Sequence, residues 1–232
     1  MARSVMSGGP VLPLLALLAA LAGCATSANP DPLEPVNRPV QAFNDFADRI
    51  LIHPLAQGFQ ALTPDPVERG VARFFRNLGE LTSASNQLLQ GKPLLAVNDL
   101  GRFLLNSILG LAGFFDPATE LGLRPHREDF GQTLGVWGVP QGPYLVLPFR
   151  GPSTLRDIAG GFSDQWTLLP LEIDHVPSRN SVFALQILTL RAQAPTSRGQ
   201  QADPYALLRD SYLRRRQTFL EDQENVPPAL PP

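Results

Sequence analysis

The sequence predicts a mainly α-helical protein with little or no β-strand. Segment after segment spaces its apolar residues three, four or seven positions apart, which places them on one face of a helix. Proline accounts for 24 of 232 residues, about twice its usual share, so the helices are expected to be short. The exception is residues 131–151, a glycine- and proline-rich irregular segment in which no long helix is expected.

Residues 1–23 have the three parts of an export signal. Arg3 gives a weakly positive start, an apolar core of roughly ten residues follows, and small residues precede Cys24. The core is shorter than the roughly twenty residues that a membrane-spanning helix needs. Cys24 is the one cysteine of the chain. A segment of this kind that ends at a cysteine is similar to bacterial lipoprotein signal peptides.

That similarity implies cleavage before Cys24 and a covalent diacylglycerol and N-acyl chain, such as palmitate, on this residue. Ala25 implies sorting to the outer membrane, because lipoproteins retained at the inner membrane carry aspartate at this position. Residues 24–34 are interpreted as the lipidated N-terminus and a short tether. The alternative is an ordinary signal peptide in which the cysteine stands by chance.

The helices follow in order. Apolar spacing predicts one over Arg38–Ile52, interrupted by Pro54 and continued to Leu62. Asp65-Pro66 is typical of a helix start, with aspartate as the cap. Another helix is expected over about 82–90, ending at Gly91, and Pro93 opens the next.

The second half of the chain is expected to alternate between irregular and helical segments. A short extended piece is predicted near Tyr144–Leu147, and Ser153 or Thr154 is expected to cap a short helix. Two further helices are predicted over Asn180–Gln193 and from Asp203-Pro204 onward. Residues 223–232 are proline-rich and are expected to be disordered.

The stretch from Pro93 to Phe115 carries a narrow polar stripe on an otherwise apolar helix. On a helical wheel, the stripe covers an arc of roughly 100° and consists of Asn98, Asp99, Arg102 and Asn106. Aspartate and arginine each cost about 2.5–3.5 kcal/mol at a membrane centre, so a lone spanning helix is not expected. One interpretation is a buried amphipathic helix in a soluble core. The other places the broad apolar face against lipid or partner helices and the stripe along a wet groove.

The sequence lacks the signatures of the common enzyme classes. It has no HExxH zinc motif, no GxSxG nucleophile elbow and no phosphate-binding or dinucleotide-binding glycine loop. The three histidines are scattered, so neither a metal site nor a cofactor is predicted. The net charge of −2 gives no indication of a nucleic-acid partner. The chain is therefore not expected to be an enzyme.

Four groups of residues resemble the VacJ/MlaA lipoprotein family. They are Asp31–Arg38 with Phe43-Asn44; Arg102–Gly110; Gly131–Gly135, Gly142–Pro148 and Thr154–Asp157; and Asp203-Pro204-Tyr205 with Arg209 and Tyr212. The likeness extends in matching order from Asp31 to Leu220, which is nearly the whole chain after the signal segment.

The resemblance implies a single helical domain over residues 35–222, arranged as a ring of short amphipathic helices lying in the membrane leaflet. Proteins of this family remove misplaced phospholipid from the outer leaflet through a channel and so maintain lipid asymmetry. A soluble periplasmic lipid carrier takes the lipid onward, and the proteins associate with trimeric porins. The alternative is a structural envelope lipoprotein on the periplasmic side that scaffolds porins or other proteins without moving lipid.

By position, the resemblance implies that Asn98, Asp99, Arg102 and Asn106 line the channel. The competing interpretation is that Asp99 and Arg102 pair with each other at i, i+3 on a solvated surface. Four glycines of the irregular segment, Gly131, Gly135, Gly138 and Gly142, are expected either to allow close backbone packing or to let a loop move as a gate. Residues 158–180 could not be matched to the family pattern.

Overall fold

Helices make up most of the protein, and one two-stranded hairpin is the only sheet in the part of the chain that the structure describes. This computed structural model describes residues 31–164, 173–194 and 203–221. The predicted signal segment 1–23, Cys24, most of the tether and the tail 223–232 lie outside the described residues. The prediction of a mainly α protein is confirmed.

The elements are named here in chain order. The first group consists of α1 (Glu34–Ala47), a π-helical turn (Asp48–Ile52), α2 (His53–Leu62), α3 (Asp65–Leu89), α4 (Pro93–Ile108) and α5 (Pro117–Glu120). The second group consists of α6 (Phe130–Val136), β1 (Tyr144–Leu147), β2 (Gly151–Thr154), α7 (Leu155–Asp164), α8 (Val176–Ala192) and α9 (Pro204–Glu221).

Prolines begin helices in this protein more often than they end them. A proline occupies one of the first two positions of α1, α2, α3, α4, α5 and α8. The missing N–H of proline costs nothing there, because the first N–H groups of a helix have no intrahelical acceptor. The abundance of proline therefore sets where the helices start.

The interruption expected at Pro54 takes the form of a wider helical turn. The chain passes from α1 to α2 through Asp48–Ile52, whose hydrogen bonds follow the π pattern. Pro54 has no N–H to donate to the preceding turn, so one hydrogen bond of an α-helix cannot form there. The helical path continues beyond the turn, as the sequence predicted.

Two sequence-based boundaries were wrong. The helices expected near Asp65 and over 82–90 are one continuous helix, α3, and Pro64 rather than Asp65 is its cap residue. The apolar stretch after Pro93 stops being helical at Ile108, because Leu111 and Ala112 take positive φ angles of 53° and 59°. No long helix forms in residues 131–151, as predicted: α6 has seven residues, and Asp129 caps it by accepting from the Gln132 N–H at 2.9 Å.

Other local predictions are confirmed. The extended piece expected at Tyr144–Leu147 is β1, which pairs with β2 in an antiparallel register of Tyr144 opposite Thr154. Thr154 caps α7, since its hydroxyl accepts from the Asp157 N–H at 3.2 Å. The helix expected from Asn180 begins one turn earlier, at Val176.

Two asparagines of α1 bind the hairpin through their side-chain amides. Asn37 donates to the carbonyl of Tyr144 at 3.0 Å and accepts from the N–H of Val146 at 2.9 Å. Asn44, two helical turns later on the same face, does the same with the carbonyl of Leu147 and the N–H of Phe149. The outer edge of β1 is thereby satisfied by α1 instead of by a third strand.

The contacts between elements close into a circuit. From α1 and α2 they pass to α8, α3, α6 and α7, and then through β2 and β1 back to α1. The predicted ring of helices corresponds to this circuit. The hairpin of α3 and α4, joined by a three-residue turn, has the most extensive packing of any helix pair.

Candidate functional site

A cavity of about 890 Å³ is lined mainly by polar and charged residues. Most of its wall comes from α3, α4, α7 and the segments that flank α5 and α6. Its charged side chains are Arg73, Arg76, Glu80, Lys92, Arg102, Asp116, Arg127, Glu128, Arg150 and Asp164. A cavity of this size with so many charged groups on its wall can bind a polar or charged part of a ligand.

One face of α3 supplies much of the wall. Arg73, Arg76, Asn77, Glu80 and Ser83 all line the cavity. Their spacing of three, four, seven and ten positions from Arg73 places them on a single side of a helix. The polar stripe was not predicted from the sequence, in which the apolar spacing of the same segment is the more obvious pattern.

Arg102 of α4 is buried beside this face of α3, and each nitrogen of its guanidinium group has a partner. Its Nε donates to Glu80 Oε1 at 2.8 Å. Its Nη1 donates to the Leu123 carbonyl at 2.6 Å and to Thr119 Oγ1 at 3.1 Å, and Nη2 lies 3.3 Å from Asp116. Arg102 therefore joins α3, α4 and α5.

Asn106, one turn further along α4, fixes the segment around α5. Its amide donates to Asp116 Oδ1 at 3.0 Å, and its carbonyl oxygen accepts from the Ala118 N–H at 3.0 Å. Burial alone would raise the pKa of Asp116, but hydrogen bonds from Thr119 and Asn106 and the charge of Arg102 lower it. Asp116 is thus held as an anion at the cavity wall.

Asp99 is completely buried and accepts three hydrogen bonds. Gln87 donates to Asp99 Oδ2 at 2.8 Å and Asn98 donates to Oδ1 at 3.0 Å, and Nδ1 of His126 lies 2.7 Å from the same Oδ1. The bond to Asp99 raises the pKa of His126. Asn98 also donates to the Arg124 carbonyl at 2.7 Å.

The four predicted lining residues thus separate into two pairs. Arg102 and Asn106 line the cavity, whereas Asn98 and Asp99 bind groups behind its wall. Asp99 and Arg102 do not pair with each other on a solvated surface; each is buried and bound to other residues. Their role in a channel stays a prediction.

Two of the four glycines of the irregular segment lie where a side chain would collide. A Cβ on Gly131 would be 2.5 Å from Asp157 Oδ1, and one on Gly135 would be 2.9 Å from the guanidinium of Arg156. Real Cβ atoms do not approach neighbours so closely. Both glycines lie in α6, whose close contact with α7 they permit.

The other two glycines lie in turns with positive φ. Gly142 has φ +70° and its Cβ would be 3.0 Å from Leu155 Cβ, whereas Gly138 has φ +85° with open space around it. Glycine suits such angles because it has no Cβ to clash. Movement of this segment as a gate stays a prediction.

The outer surface contrasts with the cavity. The residues of α4 that point away from the polar stripe are exposed, from Leu94 at 80% to Ile108 at 72%. Exposed apolar side chains also cover α1, the π-helical turn and α2, among them Phe46, Ile50, Leu51 and Leu55. Among the described residues, no helix combines the length and apolar character needed to cross a bilayer.

Comparison with known proteins gives one consistent family. A family model described as "MlaA lipoprotein" matches residues 29–219. The intermembrane phospholipid transport system lipoprotein MlaA of Escherichia coli (strain K12) is 35% identical over 229 residues, which cover 90% of this chain and 88% of the relative. The protein of the same name from Haemophilus influenzae is 33% identical, with coverage of 93% and 92%.

A solved structure is similar as well. It belongs to work on the "structural basis for maintenance of bacterial outer membrane lipid asymmetry". It superposes with a TM-score of 0.72 at 33% sequence identity, and the match covers 82% of this chain and 98% of that one.

Proposed function

The chain belongs to the MlaA lipoprotein family, and from that premise we propose that it works in intermembrane phospholipid transport. It removes misplaced phospholipid from the outer leaflet of the outer membrane and so maintains lipid asymmetry. The proposal depends on one observation: charged and polar groups line an interior cavity, while large apolar side chains are exposed on the outer surface of the elements from α1 to α4.

This inverted arrangement suits a protein that lies within one leaflet. In water, exposed apolar surface costs about 25 cal/mol per Å², a cost that vanishes against acyl chains. Exposed apolar patches mark membrane or protein contacts, and here they cover several consecutive elements from α1 to α4. The helices therefore lie in the leaflet, with the cavity as a polar passage through the ring.

The size and polarity of the cavity fit a lipid headgroup. Its volume of about 890 Å³ accommodates a glycerophosphate headgroup in contact with the charged wall. The acyl chains stay in apolar surroundings, because their transfer into a cavity lined by charged groups would be unfavourable. Passage of the lipid makes and breaks no covalent bond, so the proposed activity is transport and not catalysis.

A lipid anchor on Cys24 would lie close to the ring. Asp31 follows Cys24 by seven positions, which a fully extended chain spans in roughly 25 Å. Asp31 is buried against α9, where Tyr205 Oη donates to it at 2.5 Å and Arg209 lies 3.3 Å away. The diacylglycerol and N-acyl chain on Cys24 would thus hold the ring at the periplasmic side of the outer membrane. Trimeric porins and a soluble periplasmic lipid carrier are the protein partners in this proposal.

Blocking the cavity tests the proposal. Gly79 of α3 lines the cavity, and a Cβ there meets no atom within 4 Å. Gly79→Trp should fill the passage without disturbing the fold. In a strain lacking the wild-type gene, we expect this variant to leave outer-leaflet phospholipid at the level of the deletion. The measurement is labelling of whole cells with a membrane-impermeant amine reagent.

Gly58→Trp is the matched control. Gly58 of α2 also has open space around its Cβ, and it does not line the cavity, so this variant should restore wild-type asymmetry. Equal amounts of both variants in the outer-membrane fraction make the comparison valid. Normal asymmetry with Gly79→Trp, or in the deletion itself, would overturn the proposal and favour a scaffolding lipoprotein.

A further inference from the structure

Four arginines on the cavity wall have no carboxylate within ion-pair distance. Within residues 31–164, 173–194 and 203–221, they are Arg73, Arg76, Arg127 and Arg150, whereas Arg102 on the same wall is paired with Glu80 and Asp116. Arg150 lies against Gly161 of α7, so the three whose charges come together are Arg73, Arg76 and Arg127. The positive charge of these three is available to a bound anion.

The three side chains come from two elements that the fold brings together. Arg73 and Arg76 are one turn apart on α3, and Arg127 lies in the segment before α6. Arg76 and Arg127 also line a second cavity of about 210 Å³ between α3 and α8. Burial, and then the positive charges of Arg127 and Arg73, lowers the pKa of Arg76. The cations are close enough to repel one another.

The acidic groups on the cavity wall are already occupied. Glu80 accepts from Arg102, and Asp116 accepts from Arg102, Asn106 and Thr119. Asp116 is the carboxylate whose charge reaches Arg76, but it makes no direct contact with it.

The two remaining carboxylates are bound in the same way. Glu128 accepts from Gln90 at 3.1 Å. Asp164 accepts from the Asn86 amide at 2.9 Å and from the Phe130 N–H at 3.0 Å. The three arginines thus have no direct acidic partner, and the cavity wall carries six cationic side chains against four carboxylates, a surplus of positive charge that a bound anion would neutralise.

We propose that Arg73, Arg76 and Arg127 form a phosphate-binding site within the cavity. A guanidinium group offers a planar fork of N–H donors that binds two oxygens of a phosphate at once. This inference rests on the proposed function, in which the phosphate is the phosphodiester of a glycerophospholipid headgroup. Free inorganic phosphate carries the same chemistry, so the test separates the two sources.

The experiment compares ligands with and without each part of the lipid. The full-length lipidated protein in a non-ionic detergent is titrated calorimetrically with dihexanoyl phosphatidylglycerol, with inorganic phosphate and with dihexanoylglycerol. Arg76→Gln with Arg127→Gln should weaken binding of the phospholipid by about 10-fold or more, since hydrogen bonds to charged groups are the strong ones. Binding of dihexanoylglycerol, which has no phosphate, should not change.

The control removes the same charge elsewhere. Arg69, on α3, and Arg214, on α9, are exposed and do not line the cavity. Arg69→Gln with Arg214→Gln should bind the phospholipid like the wild type. Arg76→Lys keeps the charge but loses the fork, so its affinity should fall between the wild type and the double variant. Arg76→Lys also tests the phosphate site if the double variant folds poorly.

Each outcome decides the inference. If the double variant binds phospholipid as the wild type does, or loses dihexanoylglycerol equally, the phosphate site is overturned while the proposed function stands. If the arginine substitutions weaken the binding of inorganic phosphate but not that of the phospholipid, the site exists and the headgroup assignment is overturned. Failure of the proposed function appears separately, as normal asymmetry in the Gly79→Trp strain.

Discussion

The cavity side and the hairpin side of this protein are stabilised in opposite ways. On the cavity side, the buried residues of α3 and α4 include Gln87, Asp99, Arg102 and Asn106, while leucines point outward. On the hairpin side, Tyr144, Val146 and Tyr205 form a small aromatic and aliphatic core. The hairpin side is built like an ordinary soluble protein, and the cavity side is built for polar contents and an apolar environment.

The difference has an energetic consequence. Apolar burial stabilises the hairpin side directly, in proportion to the area removed from water. Buried ion pairs contribute little net free energy, because the desolvation of both charges offsets their attraction, but a broken pair is costly. The cavity side should therefore be sensitive to the loss of single partners, and the hairpin side to the loss of volume.

The largest effect is expected from breaking the polar network. Arg102→Met leaves the buried Glu80 and the partly buried Asp116 without their cation, so the free energy of unfolding should fall by about 3–5 kcal/mol. This loss is measured by thermal unfolding in detergent, with circular dichroism as the readout. The double variant with Glu80→Leu should lose less than the sum of the two single changes. A loss below about 1 kcal/mol would contradict a polar interior held by paired charges.

A smaller effect is expected from removing volume on the hairpin side. Val146 is buried in the aromatic core, so Val146→Ala should lower the free energy of unfolding by about 2 kcal/mol. Val97 of α4 is 67% exposed, and Val97→Ala should change the free energy of unfolding by no more than about 0.5 kcal/mol. Equal losses for the two valines in the same unfolding assay would remove the contrast between core and outer surface.

The smallest effect is a pH dependence confined to the cavity side. The hydrogen bond to Asp99 raises the pKa of His126 above its ordinary value of 6.5. A raised pKa means that the folded state binds the proton more tightly, so this stabilisation is fully present below pH 6.5. It is lost as the pH rises through the folded-state pKa. The stability advantage of the wild type over His126→Gln should therefore shrink between pH 5.5 and pH 8.5.

The same pH series contains its own control. Val146→Ala weakens the hairpin side without removing a titratable group. Its stability difference from the wild type should stay constant over the series. If the His126→Gln difference does not change with pH, the contact between His126 and Asp99 is not a charged one.

Much of the local structure could be predicted because its causes are local. Pro93 opens a helix and Thr154 caps one, since the missing N–H and the side-chain hydroxyl act within a single turn. The polar stripe of α4 followed from the helical period alone. The continuity of α3 was not predicted; in the structure, the segment on which two helices were expected packs along α4 as one helix.

The sequence by itself therefore determined the helical class, the hairpin strand β1, the family and the stripe from Asn98 to Asn106. Only the tertiary structure decided what the stripe does, because the partners come from distant positions: Glu80 and Asp116 for Arg102, and His126 for Asp99. It also revealed the cavity arginines, whose charges meet only when α3 and the segment before α6 come together. A helical period shows which residues share a face, and the packing of other elements against that face decides whether it meets lipid, water or a buried charge.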